Sequence, residues 1–161
     1  MDRKEFELFL SGLFKPYGYR KKGNYWFADG EKISKVINLQ KSNFGNVYYI
    51  NYGYVLNNLR DQVSLSGYKT HISSGLSSLD NAENQQIIRL LDFTNNLDDE
   101  VRKNLLTYYA KNMLNEMQSI NTEDDIIGYL KHRRTLNDIR LPIIEHLNSD
   151  ELLSRRKANN H

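Results

Sequence analysis

The chain has 161 residues, no cysteine and a net charge of +2 at pH 7. A chain of this length is expected to form one domain and to bury a core that needs neither disulfide bonds nor a structural metal. The missing cysteines exclude thiol catalysis, cysteine-based zinc sites and a disulfide framework, and they fit a reducing compartment.

The charge is unevenly distributed along the chain. Residues 1–79 carry 11 Lys and Arg against 6 Asp and Glu, whereas residues 80–161 carry 11 against 14. A net charge of +2 alone does not indicate nucleic-acid binding. The N-terminus is polar, and the sequence contains no apolar run of about 18 residues, so we expect neither a signal peptide nor a transmembrane helix. We therefore expect a cytoplasmic protein.

The first predicted element is an amphipathic helix over residues 2–15. Its apolar residues recur with the helical period and form one stripe, which consists of Phe6, Phe9, Leu10, Leu13 and Phe14. Pro16 and Gly18 are expected to end the helix. We expect the stripe to pack on a sheet.

A basic run at Arg20, Lys21 and Lys22 follows this helix. Four aromatic residues flank it, namely Tyr17, Tyr19, Tyr25 and Trp26. Cations interleaved with aromatic rings can bind single-stranded nucleic acid through phosphate contacts and base stacking. The alternative, which we favour, is a solvated edge strand that its lysines protect, with the aromatic side chains turned inward.

Residues 35–56 predict two strands joined by an open polar loop at residues 41–46. In the second strand, alternate positions are apolar or aromatic, and these are Tyr48, Ile50, Tyr52, Tyr54 and Leu56. This alternation is typical of a half-buried strand. The first strand carries Lys35 among the apolar residues of one face. Gly53 within the second strand indicates a bulge or a close approach of another backbone.

The segment that follows contains the best available catalytic candidate, His71. Residues 57–69 are predicted to form a loop and residues 71–79 a fourth strand, with a short helix as the alternative. His71 beside Ser73 and Ser74 suggests a base with a nucleophile, but the sequence has no nucleophile motif and no residue to orient the base. The four histidines also lack metal-ligand spacing. We predict no catalytic, cofactor or metal site.

From residue 80 the apolar pattern is helical. The predicted helices cover residues 84–93, 99–119, 123–133 and 136–147. Pro142 is expected to kink the last of these or divide it into two pieces, and a frayed turn follows Ser149. The acidic triplets at residues 98–100 and 123–125 stand at helix starts, so we interpret them as caps and not as metal ligands.

These elements predict an α+β fold. It consists of an N-terminal helix, a four-stranded antiparallel β-meander and a C-terminal helical layer. We expect residues 1–157 to form a single domain and residues 158–161 to form a disordered tail.

Two segments carry a recognisable motif. They read Lys15-Pro-x-Gly-Tyr-x-Lys-Lys-Gly-Asn-x-Trp26 and Val36-Ile-Asn-Leu-Gln-Lys-Ser-x-x-Gly-Asn-x-Tyr-Tyr-Ile-Asn51. The chain resembles domain-of-unknown-function family 4304, closely over residues 5–56 and more loosely over residues 57–135. The resemblance implies a small α+β domain, usually bacterial, with no established activity and no catalytic residues to carry over.

Small stand-alone domains of similar kind often act as immunity proteins, an analogy by class. The missing catalytic motif, the small size and the charge split, which can steer a partner, predict a non-enzymatic protein-binding domain. An immunity or inhibitor protein against a bacterial toxin is the setting we expect. The predicted partner-binding residues are Arg20, Lys21, Lys22, Lys41, Asn43 and Asn46. A nucleic-acid-binding accessory protein and an uncharacterised enzyme remain the alternatives, and no cofactor or membrane partner is expected.

Overall fold

A computed structural model of the chain describes residues 1–62 and 70–158. Its strands are β1 (Arg20–Lys22), β2 (Tyr25–Ala28), β3 (Ile33–Lys41), β4 (Tyr48–Leu56) and β5 (Ile72–Gly75). Its helices are α1 (Arg3–Phe14), α2 (Asn81–Leu91), α3 (Asp99–Ser119), α4 (Glu123–Lys131), α5 (Leu141–Leu147) and α6 (Asp150–Ala158). The strands form one antiparallel sheet in the order β1-β2-β3-β4-β5.

The predicted α+β architecture is confirmed, but the predicted count of four strands is wrong. The fifth strand is β1, which the basic run itself forms at one edge of the sheet. Gly23 and Asn24 join β1 to β2, and Gly23 has a φ of 61°. Glycine tolerates this left-handed conformation at the first position of a two-residue hairpin turn. The edge-strand interpretation of residues 20–22 is therefore confirmed. Tyr19 and Trp26 are buried as expected, but Tyr25 lies on the opposite face of the sheet from Trp26 and is not turned inward.

The inner face of the sheet packs against the helices. In α1, the ring centroid of Phe6 lies 5.5 Å from that of Tyr48. The ring centroid of Phe14 lies 5.2 Å from that of Trp26. Tyr129 of α4 lies 5.4 Å from the ring of Tyr54. The residues that form this inner face include Trp26, Ile33, Lys35, Ile37, Leu39, Tyr48, Ile50, Tyr52, Tyr54 and Leu56. The predicted apolar faces of α1 and β4 thus meet in one core.

Lys35 is buried within this apolar face. Its Nζ donates a hydrogen bond of 3.0 Å to the side-chain oxygen of Asn121, at the end of α3. Burial lowers the pKa of Lys35, and the nearby carboxylate of Asp125 opposes that shift. The lysine therefore links β3 to the junction between α3 and α4.

Side-chain caps explain the predicted helix starts. Asp2 and Glu5 form a capping box, in which each carboxylate accepts a 2.8 Å hydrogen bond from the other residue's backbone N–H. Asp98 caps α3 through hydrogen bonds from two backbone N–H groups, and Thr122 caps α4. The interpretation of the acidic triplets as caps is confirmed.

The C-terminal third differs from the prediction in three places. Pro142 lies in the first turn of α5, where no backbone N–H is needed, so it begins a helix and does not kink one. The predicted frayed turn after Ser149 is wrong, because α6 is a helix of nine residues. Ala158 ends this helix and so does not belong to a disordered tail, and residues 159–161 of that predicted tail lie outside the described residues.

The segment after β4 is described in part. Two short 3-10 turns occupy Asn57–Gln62, and the rest of the predicted loop, residues 63–69, lies outside the described residues. The predicted fourth strand is confirmed as β5, although it is shorter than expected. Within the described ranges, none of the helices combines the length and apolar character that spanning a membrane requires.

Candidate binding surface

The strand register divides the basic run between the two faces of the sheet. Arg20 pairs with Phe27 and Lys22 pairs with Tyr25, so these four side chains share the outer face, which points away from the helices. The rings of Tyr25 and Phe27 are stacked, with centroids 6.2 Å apart and an angle of 26° between their planes. The outer face of the β1–β2 hairpin thus combines two cations with an aromatic pair.

Lys21 belongs to the opposite side of β1. Its Nζ lies 3.0 Å from the Glu7 carboxylate and 5.6 Å from the centroid of the buried Trp26 ring. Burial alone would raise the pKa of Glu7, but hydrogen bonds from Arg3 and Lys21 outweigh it and lower that pKa. Lys21 therefore anchors β1 to α1.

A broad depression lies along the β1 edge, with a volume of about 510 Å³. Its lining residues are Arg20, Lys21, Lys22, Phe27, Asp29 and Arg60. Asp29 lies between two arginines, 2.9 Å from the guanidinium of Arg20 and 3.9 Å from that of Arg60. Arg60 also donates hydrogen bonds to the side-chain oxygens of Ser34 and Asn57. The rim of the depression carries more positive than negative charge.

A second depression of about 280 Å³ continues across the outer face. Its lining includes Tyr25, Val36, Asn38, Asn51, Thr70 and Ser73. Gly53 lies in the same face, and a Cβ atom there would stand 2.3 Å from the Ile72 carbonyl oxygen and 2.5 Å from the Thr70 hydroxyl. The close backbone approach expected from Gly53 is confirmed. Together the two depressions give the outer face a cationic edge and an amide-rich centre.

The other three predicted site residues lie apart from this surface. Lys41 shares the inner face with Tyr48, and its Nζ is 6.0 Å from that ring. Lys41 lies two strands away from Lys22 and three residues farther along the strand direction, so their backbones are about 14 Å apart. Asn43 and Asn46 are exposed in the loop beyond Lys41. The structure therefore brings Arg20 and Lys22 together with Arg60 and leaves Lys41, Asn43 and Asn46 outside the cluster.

The 41–46 loop has a structural role at its end. The backbone oxygen of Asn46 accepts a 2.9 Å hydrogen bond from the N–H of Phe93, and Val47 forms a β-bridge with Asp92. The Phe44 side chain at the loop tip is fully exposed. The loop thus attaches the hairpin to the segment between α2 and α3.

The catalytic candidate His71 is a structural bridge. Its Nδ1 accepts a 2.9 Å hydrogen bond from the N–H of Leu56, and its Nε2 lies 2.9 Å from the carbonyl oxygen of Leu59. This pattern assigns the proton to Nε2. Neither ring nitrogen is left to take a proton from Ser73 or Ser74, so His71 holds β4 to the segment after it.

This role makes His71 a source of pH-dependent stability. Burial lowers the pKa of His71 below its usual 6.5, although the hydrogen bond to Leu59 opposes the shift. Because the unfolded chain binds the proton more readily, this contribution is complete above about pH 6.5 and is lost as the pH falls. We expect His71→Gln to remove about 1 kcal/mol or less of the stability difference between pH 7.5 and about pH 5.5 in urea unfolding. An unchanged difference, matching that of the exposed control His132→Gln, would contradict this role.

A third, smaller cleft lies between α3 and the connection from β5 to α2. It has a volume of about 180 Å³ and includes Tyr52, Glu83 and Glu116 in its lining. The Tyr52 hydroxyl donates to the Glu116 carboxylate at 3.5 Å, while burial raises the pKa of Glu116. Ligand pockets usually exceed about 300 Å³, so the depression of about 510 Å³ along the β1 edge is the stronger candidate.

Arg60, Phe27 and Asp29 were not predicted as site residues. Phe27 and Asp29 have a local signal, since both follow the basic run and precede the turn into β3. Arg60 has none, because it lies 37 positions after Gly23 in the sequence and only the fold returns it to β1.

The comparisons with known proteins identify the family alone. Neither the curated proteins nor the solved structures include a match to this chain. The family model described as "Domain of unknown function (DUF4304)" matches residues 10–116, which include the whole sheet and the outer face but exclude α4, α5 and α6. The chain therefore belongs to this domain-of-unknown-function family, DUF4304.

Proposed function

We propose that the protein is a non-enzymatic binding protein that docks an acidic protein partner on the outer face of its sheet. The observation that carries the proposal is the stacked Tyr25 and Phe27 pair, which Arg20, Lys22 and Arg60 border. Tyrosine, phenylalanine and arginine are enriched in the cores of protein interfaces. A bacterial, cytoplasmic setting is part of the proposal, because a chain without cysteine suits a reducing compartment.

The positive charge of the outer face favours an acidic partner. Among the described residues, three arginine and lysine side chains of the outer face and its rim stand against the carboxylate of Asp29. An excess of positive charge raises the rate of encounter with an acidic surface and disfavours basic partners. An immunity or inhibitor protein that covers an acidic patch of a toxin fits this chemistry.

The test is affinity capture with matched charge reversals. The wild-type chain, Arg20→Glu/Lys22→Glu and Arg89→Glu/Lys111→Glu are each used to capture proteins from the native host and any toxin encoded beside the gene. Arg89 and Lys111 are exposed on α2 and α3, so the control makes the same charge change away from the outer face. We expect one specific protein to bind wild type and control alike, and to bind the outer-face variant at least about tenfold more weakly.

Equal capture by all three chains, or no specific protein with any of them, would contradict the proposal. The rival function is single-stranded nucleic-acid binding, which the Tyr25 and Phe27 pair also suits because bases stack on aromatic rings. A labelled oligonucleotide added to the same three chains distinguishes the two. Salt-sensitive binding that only the outer-face variant loses would favour the rival.

A further inference from the structure

Two basic segments that are distant in sequence meet where α4 and α6 end. Residues 131–134 read Lys-His-Arg-Arg, and residues 155–157 read Arg-Arg-Lys. The Arg155 guanidinium donates hydrogen bonds to the carbonyl oxygens of Leu130 at 3.1 Å and Lys131 at 2.9 Å, and a further one to that of Arg133. Arg155 thus caps the C-terminal end of α4 and fixes the two segments side by side.

We name this region the basic corner. It contains six cations, which are Lys131, Arg133, Arg134, Arg155, Arg156 and Lys157. Two carboxylates pair with it, Glu151 at 3.1 Å from Lys131 and Asp138 at 2.9 Å from Arg133. Among the described residues, the six cations of the corner thus outnumber these two carboxylates.

Helix capping does not require this concentration of charge. Arg155 alone satisfies three carbonyl groups at the end of α4. Arg134 and Lys157 are exposed and add like charge to the same corner. Placing like charges together costs free energy unless an opposite charge approaches. The arrangement therefore suits a polyanionic ligand.

We propose that the basic corner binds the phosphate backbone of duplex DNA. The exposed Arg134 carries a planar guanidinium group, which matches phosphate oxygens in pairs. The one aromatic residue of α4, Tyr129, packs against Tyr54 in the core, and α6 contains none. Without a ring to stack on, an unpaired base gains nothing here, which favours the duplex backbone over a single strand.

An anionic membrane fits the corner less well. Surface-binding helices combine cations with exposed apolar anchors. In α6, Leu152 is buried and Leu153 packs against the core. The corner also lies outside residues 10–116, the span that matches the family, and it shares no residue with the depressions of the outer face.

The salt dependence of duplex binding measures the number of phosphate contacts. A fluorescently labelled DNA duplex of mixed sequence is titrated with the full chain at about 50 mM and about 200 mM salt, followed by anisotropy. Each phosphate contact contributes a factor of about three to four to the fall in affinity between these salt concentrations. Arg134→Gln/Lys157→Gln removes two contacts, so the fall in its affinity should be about tenfold smaller than that of the wild type.

The control is Arg89→Gln/Lys111→Gln, which removes two exposed cations of α2 and α3 and should leave duplex affinity and its salt dependence unchanged. No duplex binding at about 50 mM salt overturns the proposal, and so does an unchanged salt dependence in Arg134→Gln/Lys157→Gln. Three other results also overturn it: loss of binding in the Arg89→Gln/Lys111→Gln control, tighter binding of a single strand than of the duplex, or binding only to vesicles with about 30% phosphatidylserine. If Arg134→Gln/Lys157→Gln fails to fold, the single variant Arg134→Gln is measured instead, and an unchanged salt dependence of duplex binding would overturn the proposal in the same way.

Discussion

Replacing Arg102 with methionine is expected to lower the free energy of unfolding by about 3–5 kcal/mol. The Arg102 side chain is 2% exposed. It donates hydrogen bonds to the backbone oxygens of Leu90 and Asp92 and to the side chain of Asn95, and it lies 4.3 Å from the Phe93 ring. Methionine occupies a similar volume but leaves these buried oxygens without a donor.

The matched control is Arg89→Met in α2. Arg89 is exposed, so the same substitution there should change the free energy of unfolding by less than about 0.5 kcal/mol. Urea unfolding followed by circular dichroism measures both values. An Arg102→Met variant as stable as the control would mean that the segment joining α2 to α3 does not depend on this guanidinium.

Gly53→Ala is expected to lower the free energy of unfolding by about 2–3 kcal/mol. The new methyl group would stand 2.3 Å from the backbone oxygen of Ile72, which cannot move without disturbing the pairing of β4 with β5. The same substitution at Gly128, in α4, meets no atom within 4 Å. Gly128→Ala should therefore raise the free energy of unfolding by about 0.5–1 kcal/mol, because alanine favours a helix.

The opposite signs make this pair informative. Thermal unfolding of the two variants under one condition gives both changes relative to wild type. A neutral or stabilising effect of Gly53→Ala would contradict the close approach of Ile72 and Thr70 to β4, and with it the shape of the depression on the outer face.

Regular elements were predictable where one physical period dominates. The apolar stripe of α1 and the apolar alternation of β4 each identified the face that packs in the core, because side chains on one face recur with the helical or the strand period. The strand β1 was interpreted as an edge strand but left out of the predicted four, because all three of its residues are exposed cations, which give no apolar alternation. The effect of Pro142 was predicted wrongly because a proline kinks a helix that starts well before it but is accommodated in the first turn of a helix.

The candidate surface was predictable only in part. Once residues 20–22 are known to form a strand, Lys21 is expected on the opposite face of the sheet from Arg20 and Lys22, because alternate side chains of a strand point to opposite faces. The positions of Lys41 and Arg60 depend on strand pairing and on the return of the chain after β4. Residues distant in sequence meet there through tertiary packing, for which a single sequence has no local signal. The contact between residues 131–134 and residues 155–157 was not predicted for the same reason.

The central claim is that the outer face of the sheet is the binding surface. Amide hydrogen exchange of the protein, alone and in complex with its captured protein partner, tests this claim most directly. The account predicts slower exchange in the complex at β1, at its turn with β2, and at Asn38 and Asn51, with little change in α2. Slower exchange confined to the helices, with β1 and β2 unchanged, would contradict it.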